Sequence, residues 1–359
     1  MLKTFQLGVA MAIGVAAAQA QTAVVSSAPV GFMKVTIKGK GGGSGANFVG
    51  APFVREAVYT GYLNDGAVVA NVLADSDANW SAGEFTTSSV AASHYVEIVN
   101  STNADAIGLL SDIVSHTTNT LRTADDLSPW LVGGEQICIR EHHTLSSLFG
   151  ESNEVGLAQG TNDSADTISI LRPGENAAFS TYYYRDAQLG GSGWRSSSNP
   201  FTNEQERSVR PTDGLYIQRS ATTDVTVVMH GEVRQTPTKV VVQPGLNMIG
   251  TMAPVTDATA TGGAKVTLGG AASESLIPSG LGDVLGQGDS ATADTVSIFD
   301  GSQFRTYYLK DGTSPLGGTG WRSVANPFED ASGVVLPEAG AVLVRNKGEA
   351  RIWTLPLPF

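Results

Sequence analysis

Residues 190–201 read GGSGWRSSSNPF, and residues 317–328, offset by 127 positions, read GGTGWRSVANPF. The likeness extends upstream at nearly the same offset. SADTISI (164–170) matches TADTVSI (292–298), STYYYRD (180–186) matches RTYYLKD (305–311), and SLFGESNEVGLAQG (147–160) lines up with SLIPSGLGDVLGQG (275–288). Earlier still, KVTIKGKGGGSGANFVG (34–50) parallels KVVVQPGLNMIG (239–250), with a glycine-rich lengthening in the first. A chain duplicated in this way must fold its two copies alike, because the same apolar pattern buries the same faces. Two copies of about 120 residues are too few and too long for a solenoid, whose repeats run about 20–50 residues. A pseudo-symmetric pair is expected instead.

The copies differ in one large respect. In the first, residues 55–140 separate the opening from TLSSLF (144–149), whereas the second has only a short connection. An inserted subdomain explains this, since loop-closure entropy grows slowly with length and exposed loops tolerate insertion. The expected organisation is a signal peptide over 1–20, a first β unit over 21–54 plus 141–235, an inserted β subdomain over 55–140, and a second β unit over 236–359.

Local pattern sets the fold class. Short β-branched and aromatic runs, such as FMKVTI (32–37), HYVEIV (94–99), GLYIQR (214–219) and DVTVVMHGEV (224–233), alternate with Gly, Asn, Asp, Ser and Thr clusters, and helical periodicity is nearly missing. The chain reads as all-β: two pseudo-repeated β-sandwich or partly closed barrel units with a β subdomain inserted in the first. Short helical turns are expected at 144–149 and 280–286. YLNDGAVV (62–69) carries an Asn-Asp-Gly hairpin signal.

The first twenty residues hold Lys3, an apolar run over 7–18 and Ala18-Gln19-Ala20, the pattern of a cleaved export signal. A spanning helix needs about 18 or more apolar residues, so an anchor is disfavoured there, and no transmembrane helix is expected after it. Removing Lys3 with the leader takes the net charge from −12 to −13. So acidic a surface repels phosphate backbones, which excludes nucleic acid as a partner. Cys138 is the single cysteine, so stability rests on burial rather than on disulfides.

Catalytic patterns are missing. His94, His116, His142, His143 and His230 form no HExxH, and no G-x-S-x-G elbow occurs. Adjacent His142 and His143 on an extended segment point to opposite faces and would not share a metal. GKGGGSG (39–45) lacks the phosphate-loop order and reads as a hairpin loop. The acidic clusters ADSDANW (74–80), TNDSAD (161–166) and GDSATAD (288–294) offer oxygens to Ca²⁺ but lack EF-hand spacing, so ordinary Asx turns are preferred and no cofactor is expected.

The most suggestive constellation is Trp194, Arg195 and Asn199 with its echo Trp321, Arg322 and Asn326. An exposed indole flanked by Arg and Asn would stack on a sugar ring, which makes these six the candidate ligand-binding residues. In the competing reading, which we prefer, each Trp fills a core, each Arg pairs locally and each Asn-Pro starts a turn.

Several blocks are distinctive as a set: APVGF (28–32), ANFVGAPF (46–53), HYVEIVNSTNADAIGLLSDIVSHTTNTLRTADDLS (94–128), REHHTLSSLFG (140–150) and a late YYY…GWR. In this order the chain resembles an uncharacterised paralogous family of secreted, β-rich verrucomicrobial proteins. That resemblance covers most of the chain after the leader and implies export, but no activity or site residues. Glu141-His142-His143 departs from the hydrophobic segment usual before TLSSLFG and marks a feature private to this chain.

The expected function is that of a secreted, non-enzymatic structural or adhesive protein of the cell envelope or exterior, with polysaccharide or an envelope component as partner. The alternative is a secreted glycan-active hydrolase. A third reading, an outer-membrane β-barrel, draws on the alternating RIWTLPLPF end (351–359), against which stand Pro356 and Pro358, each lacking a ladder donor.

Overall fold

A computed structural model describes residues 28–66, 68–173, 178–187, 191–252, 266–269, 285–312, 318–336 and 339–355. The leader, most of 275–288, all but the last two residues of the helical turn expected at 280–286, and the final four residues lie outside the described residues. The protein is all-β. Along the chain run β1 (Val30–Ile37), β2 (Ala46–Gly50), β3 (Ala57–Tyr62), β4 (Val72–Ala74), β5 (His94–Asn100), β6 (Leu110–His116), β7 (Thr120–Thr123) and β8 (Gln136–Glu141). Next come β9 (His143–Thr144), α1 (Leu145–Phe149), β10 (Thr167–Leu171), β11 (Phe179–Arg185), β12 (Gly193–Ser196), β13 (Ser208–Val209), β14 (Gly214–Gln218) and β15 (Val225–Glu232). The remainder are β16 (Thr238–Val242), β17 (Gly245–Gly250), β18 (Thr295–Phe299), β19 (Phe304–Lys310), β20 (Gly320–Ser323), β21 (Ala341–Asn346) and β22 (Arg351–Leu355).

Strand order repeats. A five-stranded antiparallel sheet β12-β11-β10-β14-β2 is covered by the two-stranded ribbon β1-β15. A second sheet, β20-β19-β18-β21-β17, has the same order and is accompanied by the ribbon β16-β22. Burial alternates with the two-residue period of the strand: in β1, Met33, Val35 and Ile37 face inward while Phe32, Lys34 and Thr36 face out. The first core joins those residues to Ile168, Tyr184, Trp194, Ile217 and the buried face of α1. Its counterpart joins Val242, Val296, Tyr307, Trp321, Val344 and Trp353. Helix α1 starts where expected because Thr144 and Ser147 form a reciprocal cap, Ser147 N–H to Thr144 Oγ1 at 3.1 Å and Thr144 N–H to Ser147 Oγ at 2.7 Å.

The two five-stranded sheets meet by a reciprocal exchange. Gly50 N–H donates to Ala339 O at 2.6 Å, and its counterpart Gly250 N–H donates to Thr212 O at 3.0 Å. Single bridges Val49–Gly340 and Asp213–Ile249 flank these bonds in the same mirrored way, as a two-fold contact requires. The glycines permit this approach. A Cβ on Gly50 would lie 3.0 Å from the Gly250 Cα and 2.8 Å from the Gly340 oxygen. Beside them, Phe48 stacks on Tyr216 and touches Phe299 and Phe304 of the second sheet.

Residues 57–141 supply a six-stranded sheet, β3-β8-β5-β6-β7-β4, curled around Leu73, Phe85, Val96, Ile98, Leu121 and Ile137. Its curl brings the two edges together: Tyr59 donates to Asp75 at 2.6 Å and Asn64 N–H to Ala74 O at 2.8 Å. Two loop expectations therefore change. Asn64-Asp65-Gly66 closes no hairpin, because β3 pairs with β8 and β4 with β7. The glycine-rich 39–45 segment is a corner, not a hairpin loop, carrying the chain from ribbon to sheet, with Asn47 bonding Lys38 N–H (2.7 Å) and the Lys38 carbonyl (3.0 Å) across it. Asn247 makes the same pair of bonds to Gln243 across the shorter corner of the second copy.

Candidate functional site

The curled sheet docks on the first repeat through charge. Its outward face carries Tyr95, Glu97, Asp112 and Arg140. Glu97 accepts from Arg234 at 2.6 Å, Arg140 pairs with Glu232, and Asp112 pairs with Arg210. Such buried pairs stabilise little in net terms, but losing one partner strands the other, so they fix where the sheet sits.

Where this face, the first repeat and the second repeat converge lies a cleft of about 600 Å³. Its deepest polar element is a chain of ion pairs. Arg172 grips Asp213 (2.6 Å), Asp213 accepts the Arg210 N–H (2.8 Å), and the Arg210 guanidinium grips Asp112 Oδ2 (2.5 and 3.0 Å). The other Asp112 oxygen accepts His142 Nε2–H at 2.9 Å, with the ring stacked on Tyr95. Burial alone would raise the Asp112 carboxyl. The His142 hydrogen bond, the charge of that ring when protonated and the Arg210 guanidinium outweigh it and hold Asp112 well below the usual carboxylate range.

Toward solvent the cleft presents a different chemistry. Trp130 is half-buried on its wall, next to exposed Asp125 and Asp126. Asp125 is positioned by Ser111 Oγ at 2.8 Å, and Asp126 accepts the Ser128 N–H at 2.9 Å. From the second repeat come half-buried Gln243 and the stem of Lys239, whose ammonium reaches the Asp105 carbonyl. Burial lowers the pKa of Lys239.

The six residues singled out from sequence do not converge. Trp194 is fully buried, edge-on to Tyr184, with Nε1–H donating to Gly150 O at 2.9 Å, and Trp321 is 3% exposed. Neither indole presents a face to a sugar. Arg195 bonds the Trp194 and Ser192 carbonyls (2.8 and 3.2 Å), and Arg322 bonds the Trp321 and Thr319 carbonyls (2.7 and 3.0 Å). Asn199 and Asn326 accept from Phe201 and Phe328 N–H groups, as Asx turns do. These residues fold the repeat.

The acidic clusters behave similarly. Asp166 accepts the Ala158 and Ser220 N–H groups (2.7 and 2.6 Å), and Asp294 accepts those of Gly286 and Lys347 (2.6 and 2.7 Å). Among the described residues no three His, Cys, Asp or Glu side chains gather as a metal set. His142 and His143 separate as their extended backbone demands, the first toward Asp112 and the second toward the Phe53 carbonyl (3.1 Å). The ion-pair chain itself was not anticipated. Of the Glu141-His142-His143 run noted in the sequence, only His142 falls on it.

Compared with family models, with curated proteins and with solved structures, the chain matches none.

Proposed function

We propose that this chain is an exported, non-enzymatic binding protein of the cell envelope or exterior, and that it holds a saccharide in the three-sheet cleft. One observation carries the reading: of the five tryptophans, Trp130 alone is not buried, and it lines that cleft beside two exposed carboxylates and an amide. A partly open indole takes the apolar face of a sugar ring, and carboxylates and amides accept and donate to its hydroxyls. Export is supported by the leader pattern of residues 1–20 and by the likeness to secreted verrucomicrobial proteins.

The hydrolase alternative has less support. Glycoside hydrolysis needs a carboxylic acid whose pKa is raised, whereas Asp112 is pushed the other way and Asp213 is gripped by Arg172. For the barrel, membrane-spanning strands need about 9–11 residues. The longest described strands, β1 and β15, have eight. Among the described residues no helix is long and apolar enough to cross a membrane.

The test is affinity electrophoresis of the purified chain through gels containing neutral polysaccharides (β-glucan, xylan, mannan), with Trp130→Ala and the double change Asp125→Asn, Asp126→Asn alongside. Retardation by at least one polymer, weakened at least about tenfold in both variants, is expected from losing an aromatic platform or its hydroxyl partners. Equal retardation of Trp130→Ala and the parent, or no retardation of the parent, overturns the assignment.

A further inference from the structure

Seven charged side chains line the three-sheet cleft, four acids and three bases. Each base already serves an acid. Arg172 meets Asp213 at 2.6 Å and the Ser208 carbonyl at 2.8 Å, and Arg210 meets Asp112 at 2.5 Å. Lys239 bonds the Asp105 carbonyl and lies 3.8 Å from the Asp105 carboxylate, with only 9% of its side chain exposed. Asp112 and Asp213 are thereby neutralised, which leaves Asp125 and Asp126. Both are exposed, and among the described residues neither forms an ion pair.

The loop after β7 fixes these two carboxylates and Trp130 as one unit. Ser111 Oγ donates to Asp125 Oδ2 at 2.8 Å and accepts the Asp125 N–H at 2.9 Å. Asp126 Oδ1 accepts the Ser128 N–H at 2.9 Å, at the start of a turn that Trp130 N–H closes onto the Leu127 carbonyl at 3.1 Å. Asn103 then holds the Trp130 carbonyl at 2.8 Å. The Trp130 side chain packs against the core of the curled sheet and lines the cleft. One oxygen of each carboxylate is thus used for positioning. The other, Asp125 Oδ1 and Asp126 Oδ2, has no partner among the described residues.

We infer that the saccharide of this cleft carries a free ammonium group: it is an amino-sugar unit of a polysaccharide, with its ring on Trp130 and its nitrogen against Asp125 and Asp126. This rests on the saccharide reading above and narrows it. Hydroxyl groups alone would leave two carboxylate charges covered and uncompensated, and withdrawing a charge from water is costly unless an opposite charge replaces the water. An ammonium group supplies that charge, with three N–H donors for the two open oxygens. Beside an indole it also gains cation–π attraction. The net charge of −12 draws such a ligand in and turns away sugars bearing carboxylate or sulfate.

Isothermal titration calorimetry at low salt and about pH 6.5, where an amine of this kind is protonated, tests this with three disaccharides of one linkage: chitobiose with both amines free, its fully N-acetylated form, and cellobiose. Acetylation keeps the ring and removes the charge. The free amine should bind at least about tenfold tighter than either of the others, by the ion-pair and cation–π contributions together. The double change Asp125→Asn, Asp126→Asn should bring the three affinities together, Trp130→Ala should weaken all three, and salt at about 1 M should shrink the preference. The pair Glu329→Gln, Asp330→Asn removes the same charge from exposed positions outside the cleft and should leave the preference intact, which separates the cleft from general attraction to an acidic chain. Equal binding of the three disaccharides, or a preference that survives Asp125→Asn, Asp126→Asn, overturns the inference and leaves the saccharide reading standing on the neutral polymers. Binding of none of the three also overturns it, and the saccharide reading falls with it only if those polymers fail to retard the chain.

Discussion

Replacing Trp194 by alanine separates packing from ligand contact. The side chain is fully buried against Phe149 and Tyr184, so its removal leaves a cavity the neighbouring strands cannot close. Aromatic-to-alanine changes of this kind cost about 3–5 kcal/mol. The Gly150 carbonyl also loses its indole donor, which adds about 1 kcal/mol. For a urea m-value of about 2 kcal/mol/M, a loss of about 4 kcal/mol moves the unfolding midpoint down by about 2 M. Far-UV circular dichroism should follow the transition, since four other tryptophans would blur a fluorescence signal. Trp194→Phe, which keeps a ring but not the donor, should fall between the two. A midpoint within about 0.3 M of the parent, together with lost polysaccharide retention, would refute the packing argument and return the repeated Trp-Arg pair to a binding role.

Acid sensitivity should trace to His143, which burial pushes down to about 4, helped by the charges of Arg55, His230 and His142 and opposed by the Phe53 carbonyl. Its folded pKa lies below its unfolded one, so stability is complete above about pH 6.5 and falls by on the order of 3 kcal/mol as pH drops toward 4. Burial lowers His94 as well, adding to the same window. His143→Gln should flatten the slope of urea midpoint against pH there, and an unchanged slope would remove His143 as its source. At the contact between repeats, Gly50→Ala and Gly250→Ala should each cost about 1–3 kcal/mol, because the new methyl group would meet backbone oxygen at 2.8 Å. Gly333→Ala, with nothing within 4 Å, is the control, and equal thermal shifts in all three would count against the close approach.

Strand content was legible because a half-buried strand writes its burial as a two-residue alternation, as FMKVTI shows in β1. The duplication was legible because the same residues close the same local bonds in each copy. Partners distant in sequence leave no comparable trace. Asp112, His142 and Arg210 come from three segments, and nothing near Asp112 distinguishes it from an exposed loop acid. The corner at 39–45 was misread for a related reason: a glycine-rich turn specifies a reversal, whereas Asn47, bonding back to Lys38 across the gap, specifies which sheet the chain enters next. The Trp-Arg pairs stood out in sequence because they recur, and recurrence reports packing when both copies must bury the same core.

That distinction locates function in what the copies do not share. Trp194 and Trp321, Asn47 and Asn247, Asp166 and Asp294, and Gly50 and Gly250 hold equivalent places with equivalent bonds, so each is accounted for by a fold built twice. Among the described residues, other places differ. The curled sheet of residues 57–141 exists in the first copy only, and the three-sheet cleft arises where it meets both repeats. The Glu204–Arg207 ion pair is also found in the first copy only, and the second has Ala331 and Val334 in its place, packed on its core. A duplicated scaffold frees one copy from any contact the other already supplies. At an unshared position the residue is released from the shared packing and can be shaped by a ligand, which is why the three-sheet cleft sits at a break in the molecule's symmetry.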